Sequence, residues 1–203
     1  PAQSTSMIGD GAAVHHSSDY HGYDHGTHVA GIATGNSAQL QGVAKDAGVI
    51  AINVFSMIND FYTCEPDEKC IVSYPADQMA ALNYLYSIRN EYNIASVNMS
   101  LGGGAESSYC DGISMLTNSI NNLTQEGIAV AIASGNDGQC SYVSEPSCVM
   151  NAITVGASDA NDVRATFSNY SSAVLDIHAP GVGIRSAVGT GDTDYEAWNG
   201  TSM

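Results

Sequence analysis

Four short, nearly unbroken apolar runs alternate with segments of helical periodicity, and this alternation limits the fold more than any other feature of the chain. The runs cover residues 49–54, 95–99, 128–133 and 152–155 and are rich in Val, Ile and Ala. Runs that short, apolar on both faces, suit strands of a sheet covered on both sides. Between the first two, Met79, Leu82, Leu85 and Tyr86 recur at helical spacing after Pro75, a residue suited to a first helical turn. Between the second and third, Met115, Leu116, Ile120 and Leu123 do the same. There Asp111 is the expected N-cap, and Gly127 is expected to close the helix. Helices between successive strands build βαβ units, so an α/β fold with a mostly parallel central sheet flanked by helices in three layers is expected. The segment up to Tyr23 is rich in Ser, Gly and His and reads as loop. Beyond Val155 the pattern breaks into turns and short strands. No repeat or linker divides residues 1–203, which read as one domain.

Charge and cysteines narrow the function. Asp and Glu number 21 against 5 Lys and Arg, a formal net charge of -16, which disfavours a nucleic-acid partner and describes a solvated acidic surface. No stretch approaches the roughly 18 apolar residues of a membrane span, so none is expected. Cys64, Cys70, Cys110, Cys140 and Cys148 form no paired C-x-x-C pattern, and zinc is not suggested. Cys64 and Cys70 bracket a polar loop that a local disulfide would staple. Cys148 then pairs with Cys110 or Cys140 and leaves one thiol over. The alternative is five reduced thiols in a reducing compartment.

In open parallel sheets, functional residues collect at the carboxyl ends of strands, and two glycine-rich motifs lie there. One is Ser100-Leu101-Gly102-Gly103; the other is Ala133-Ser134-Gly135-Asn136-Asp137-Gly138. Glycine lets main chain approach a ligand, so each offers backbone hydrogen bonds to an extended peptide. Asn136 adds an amide donor suited to a developing oxyanion. Near the two chain ends stand His25-Gly26-Thr27-His28-Val29-Ala30-Gly31 and Asn199-Gly200-Thr201-Ser202-Met203.

Taken in order with Thr154-Val155-Gly156-Ala157-Ser158, Phe167-Ser168-Asn169-Tyr170 and Ala179-Pro180-Gly181, these motifs resemble those of the subtilisin-like serine proteases. The second half is similar to the proteinase K branch. The resemblance implies a subtilisin-like fold and a serine endopeptidase that works through an acyl-enzyme. His25 would be the general base and Ser202 the nucleophile at the start of a helix. Asn136 and the Ser202 main-chain N–H would form the oxyanion site. Ser100, Leu101, Gly102, Gly103, Ala133, Ser134 and Gly135 would wall the substrate pocket. The chemistry agrees: a serine hydroxyl needs an imidazole to take its proton, and the same group then protonates the leaving amine.

The chain departs from the family pattern in one respect. Subtilisin's triad runs Asp, His, Ser, and no Asp-Thr-Gly or Asp-Ser-Gly context precedes His25. Asp10 follows no apolar strand, and Asp19 and Asp24 sit too close to His25. The third triad member is therefore expected upstream of Pro1, and the nucleophile's helix beyond Met203. The chain thus reads as a peptidase domain truncated at both ends and inactive by itself.

The resemblance further implies protein or peptide substrates, an extracellular location, a monomer, and an N-terminal pro-segment in the precursor. No cofactor is required for the chemistry; structural calcium is implied without an assigned ligand set. The small pocket residues suggest broad cleavage with some preference for apolar or aromatic side chains. Two other classes compete. One is a catalytically inactive peptide-binding module of the same fold. The other is a metal site built from His15, His16, His21, His25 and His28, disfavoured because Gly22 and Gly26 weaken the helix it needs. Four Asn-x-Ser/Thr sequons begin at Asn98, Asn122, Asn169 and Asn199; three fall in the motifs above, where little glycosylation is expected.

Overall fold

The computed structural model describes residues 24–65, 69–189 and 193–203. In chain order the elements are α1 (His25–Thr34), β1 (Phe55–Ile58), α2 (Phe61–Cys64), β2 (Cys70–Ser73), α3 (Pro75–Ile88), β3 (Ser96–Met99) and β4 (Gly103–Glu106). There follow α4 (Thr117–Gln125), β5 (Ala129–Ala133), β6 (Val143–Glu145), β7 (Ile153–Ser158), β8 (Ile177–Pro180), β9 (Ile184–Ala187) and β10 (Tyr195–Trp198). Strands β3, β5, β7 and β8 form a parallel sheet in that order, with Met99 opposite Ile132, Ala133 opposite Val155 and Ser158 opposite Pro180. The expected parallel α/β architecture is thus present, with β8, one of the short strands expected beyond Val155, at its edge.

Alternation along β5 explains where the core lies. Val130 and Ile132 point to one face and are fully buried, and onto that face pack Leu82 and Leu85 of α3 with Ile120 and Leu123 of α4. A buried side chain of this kind stabilises the fold by about 1.5–3 kcal/mol. Pro75 stands in the first turn of α3, and Gly127, at φ 80°, closes α4 with its N–H on the Thr124 carbonyl. That left-handed conformation suits glycine.

Two expectations are corrected. The run 49–54 joins no ladder among the described residues; Ile52 and Val54 turn toward the core while Val49 and Ile50 are exposed. Apolar residues alone do not make a strand without a partner edge, and here Asn53 Oδ1 accepts the Phe55 N–H just as β1 begins. Asp111 does not cap α4, which starts at Thr117. Its carboxylate instead accepts the Met150 N–H, a contact 39 residues away that local pattern cannot reveal.

The cysteine pairing left open by the sequence is resolved as Cys64–Cys70 and Cys110–Cys148, with Cys140 free and exposed. Cys110 and Cys148 are buried beside Leu116 and Val149 in the main core, and the Cys110 N–H donates to the Cys148 carbonyl. Arg164 Nη2 lies 3.5 Å from the Cys140 sulfur. Closing the 38-residue separation restricts the unfolded chain more than closing the 6-residue one. Replacing the Cys110–Cys148 pair by Ala should therefore cost roughly 4 kcal/mol, and replacing Cys64–Cys70 roughly 2 kcal/mol, in denaturant unfolding; equal costs would contradict this account.

Candidate active site

A cleft of about 540 Å³ opens at the carboxyl end of the sheet. One wall is the Ser100–Ala105 stretch, which leads from β3 into β4. The opposite wall comes from Ala133, Gly135, Asn136, Asp137 and Gln139 beyond β5, with Ser144 of β6 and with Thr201 and Ser202. Strand β6 pairs antiparallel with β4, Gly103 opposite Glu145, and the Ser144 N–H donates to the Ser134 carbonyl. The two walls are therefore tied to each other as well as to the sheet.

The turn at Gly200–Met203 is held over the strand ends from four sides. The Gly200 N–H donates to the Gly181 carbonyl just past β8, and the Gly183 N–H donates to Asn199 Oδ1. Ser100 Oγ donates to the Ser202 carbonyl at 2.8 Å. Asn136 Oδ1 accepts both the Thr201 N–H, at 2.8 Å, and the Thr201 hydroxyl, at 3.0 Å. A main-chain N–H can only donate, so the Asn136 atom facing it must be the oxygen. The amide Nδ2 is thereby left without that duty, in the wall that Ser202 shares. Thr201 Oγ1 also accepts the Gly135 N–H, which joins two motifs 66 residues apart.

Asn169 holds the Asn136 loop from behind. It is 1% exposed; its Oδ1 accepts the N–H groups of Asp137 and Gln139, and its Nδ2 donates to Asp137 Oδ2. Gly135, at φ 106°, takes a conformation strained for any side chain, and a Cβ there would collide with Asn169 Nδ2 and Ser144 Oγ. Ser134 does not line the cleft. It is fully buried, and its hydroxyl donates to the Asn169 carbonyl, so its side chain supports the wall from within.

His25 is the first residue of α1 and stands outside the set of cleft-lining residues. Helix α1 is anchored three residues later. His28 is fully buried, stacks on Trp198 with ring centroids 4.3 Å apart, and meets the Glu196 carbonyl through Nε2 at 3.1 Å. Ser186 Oγ donates to the His28 carbonyl. Because β10 runs on into the Ser202 turn, this packing ties the helix that carries His25 to the strand that leads to Ser202. Burial pushes the His25 imidazole below its ordinary pKa, and the neighbouring His28 adds to the effect. Both disfavour the imidazolium, so the neutral form that accepts a proton persists to lower pH.

Among the described residues no group of three or more His, Cys, Asp or Glu is placed to hold a metal ion. His15, His16 and His21, like Asp10 and Asp19, lie outside the described residues. Sequence reasoning passed over Asn169 and Thr201 as structural ties, although both sit inside quoted motifs. It also passed over Ser144, Asp137, Gln139, Gly104 and Ala105 as cleft residues. Their roles arise from hydrogen bonds and approaches between distant segments.

Two measurements follow. The NMR titration midpoint of His25 should fall below the free-imidazole value of about 6.5, and His28→Gln should move it upward; a midpoint above that value would contradict the burial argument. Asn169→Ala should cost about 2–4 kcal/mol in denaturant unfolding, because it strands the Asp137 and Gln139 N–H groups. A cost near zero would remove Asn169 from its bracing role.

The chain matches the subtilase family, peptidase S8, over residues 2–203. It is similar to an alkaline proteinase of Hapsidospora chrysogena, 37% identical over 186 residues that cover 88% of this chain and 39% of that protein. An extracellular serine proteinase of a Thermus species is 35% identical over 179 residues, 88% of this chain and 38% of that protein. The chain thus spans well under half the length of either relative. A solved cold-adapted subtilisin-like serine proteinase superposes with a TM-score of 0.67 at 29% identity, covering 89% of this chain and 56% of that one. With the parallel sheet, the cleft at its carboxyl end and the motifs in order, these likenesses establish that the chain belongs to the subtilase family.

Proposed function

We propose that the chain supplies the base, the nucleophile, the oxyanion site and the substrate walls of a secreted serine endopeptidase. The observation that carries this reading is the pair of hydrogen bonds from Thr201 to Asn136 Oδ1, which holds an amide donor beside Ser202 in the cleft. In the proposed reaction His25 takes the Ser202 proton as Oγ attacks the scissile carbonyl. The carbonyl oxygen gains negative charge that Asn136 Nδ2 and the Ser202 N–H stabilise. Collapse to the acyl-enzyme expels the amine, which takes that proton from His25; water then attacks the acyl-enzyme while His25 accepts its proton, and His25 returns the proton to Ser202 as the acid leaves. The acidic member of the triad lies outside the described residues in this reading.

Extended substrate would pair with the main chain of Ser100–Gly103 and of Ala133–Gly135, as a strand adds to an edge. The cleft is lined on these walls by Gly102, Gly103, Ala105, Ala133 and Gly135, small residues that leave room for large side chains. That space supports broad cleavage with a preference for apolar or aromatic residues. Structural calcium enters this reading without a ligand set, because among the described residues no group of three or more His, Cys, Asp or Glu could hold a metal ion, and no step runs through it. Two disulfides and the name of the extracellular Thermus relative support secretion. A monomeric mature enzyme released from a pro-segment completes the proposal.

The test uses the full-length gene product. A fluorophosphonate should label Ser202 irreversibly and insensitively to chelators of transition metals, and Ser202→Ala should abolish both labelling and peptide hydrolysis. Asn136→Ala should lower kcat by about 10²- to 10³-fold with KM little changed, a scale set by the loss of such a donor in subtilisin, a member of this family. Hydrolysis that survives Ser202→Ala would refute the assignment, whereas a full-length product that binds peptides without hydrolysing them would favour the inactive binding module.

A further inference from the structure

The four Asn-x-Ser/Thr sequons are equivalent in sequence and unlike in structure. Asn169 is buried with both amide atoms engaged. Asn98, on β3, donates through Nδ2 to Ser100 Oγ, the hydroxyl of its own sequon, and that hydroxyl in turn donates to the Ser202 carbonyl. Asn199 accepts the Gly183 N–H at 2.6 Å and helps to hold the turn that carries Ser202. Three sequons are therefore built into the cleft and its supports. An oligosaccharide on Asn169 would need the amide that braces the Asn136 loop, and one on Asn98 or Asn199 would stand against the Ser202 turn.

Asn98 and Asn199 are exposed as Asn122 is, but Asn122 differs in its untied amide and in its place away from the cleft. It lies on α4, whose buried residues are Ser119, Ile120 and Leu123, and its own side chain is exposed on the opposite side. Among the described residues no hydrogen bond ties its amide, in contrast to its neighbour Asn121, which accepts from Asn151. It lines no part of the cleft. The hydroxyl that the sequon requires is supplied by Thr124, partly exposed two residues further on. We propose that Asn122 is the acceptor of an N-linked oligosaccharide. The proposal rests on the secreted reading above, because the modification belongs to the oxidising lumen in which the two disulfides would form.

The chemistry is a glycosyl transfer from a polyprenyl-diphosphate-linked oligosaccharide. Asn122 Nδ2 forms a bond to the anomeric carbon, the carbon–oxygen bond to the diphosphate breaks, and the diphosphate leaves with the electron pair. The amide gives up one proton to a base of the transferase. Transfer takes place on the translocating chain, and the fold then accepts the product because Asn122 is exposed and no hydrogen bond among the described residues holds its amide. A glycan there would add a hydrophilic cover to one helix of the α3–α4 layer without touching the substrate walls.

The full-length gene product, carrying Ser202→Ala to prevent self-digestion, is expressed in yeast behind a fused secretion signal, so entry into the lumen does not depend on the protein's own targeting. The expected result is a mobility shift removed by peptide N-glycosidase, with conversion of Asn122 to Asp in the released peptide. Asn122→Gln and Thr124→Ala should abolish the shift, while Thr124→Ser should retain it. A secreted, disulfide-bonded product with Asn122 unmodified overturns the proposal, as does glycan on Asn169 in its place. The secreted reading is tested separately, by whether the native host releases the protein into its medium. The endopeptidase reading is tested by fluorophosphonate labelling of the product without Ser202→Ala. Either can fail while the glycan result stands.

Discussion

Two hydrogen bonds from Thr201 to the Asn136 side-chain oxygen hold the functional end of this molecule together. They bridge 65 residues of sequence, and they commit the oxygen of the amide so that its nitrogen is left for another partner. Side chains that can rotate lose a developing negative charge to water; one whose oxygen is already committed presents its nitrogen in advance. Such preorganisation is the main source of electrostatic stabilisation in acyl transfer. The bonds matter only because both partners are immobile: Asn136 by its loop's anchorage to Asn169, Thr201 by its turn's anchorage to Gly181, Gly183 and Ser100.

Behind that clasp the parallel sheet does the positioning. Strands β3, β5, β7 and β8 end side by side, so the segments leaving them converge although they are scattered through the chain. The burial of Val130, Ile132, Ile120 and Leu123 gives the sheet a rigid back. A cavity of about 160 Å³ lies between its carboxyl ends and the Gly200–Met203 turn. Helix α1 is attached differently, through the His28 stack on Trp198 and the Ser186 bond to the His28 carbonyl. The helix that carries His25 and the turn that carries Ser202 are therefore joined by one hairpin, β9–β10, whose last strand leads straight into Ser202. Packing in the interior and hydrogen bonding at the rim divide the work: one sets where the elements lie, the other sets how the polar groups point.

Local patterns were legible where local physics decides. Helix α3 follows from Pro75 and the spacing of Leu82 and Leu85, because a helix with one apolar face needs only a sheet to lie on. Strands β3, β5 and β7 follow from short apolar runs bounded by glycine-rich turns. The same reasoning failed at 49–54, where the residues are as apolar but no described partner edge supplies a ladder. It failed again at Asp111, whose carboxylate serves a distant N–H instead of the nearest helix. Ser134 sits inside a motif whose neighbours line the cleft and yet turns inward, because alternation past the end of β5 directs its side chain to Asn169 and away from the cleft.

The sequence by itself determined the alternation of strands and helices and the two short motifs that contain His25 and Ser202, and it placed Asn136 in a glycine-rich segment at the end of a strand. These are properties of composition and spacing, and they survive in one dimension. Only the tertiary structure decided that Cys148 pairs with Cys110, that Thr201 and Asn169 hold the Asn136 loop, that Ser100 commits its hydroxyl to Ser202, and that, among the described residues, three of the four sequon asparagines are tied by hydrogen bonds beside the cleft while Asn122 is not. The reason is physical. A hydrogen bond or a disulfide forms between groups within a few ångströms of each other, and for residues tens of positions apart that proximity is created by the packing of the sheet, not by any property of the residues alone.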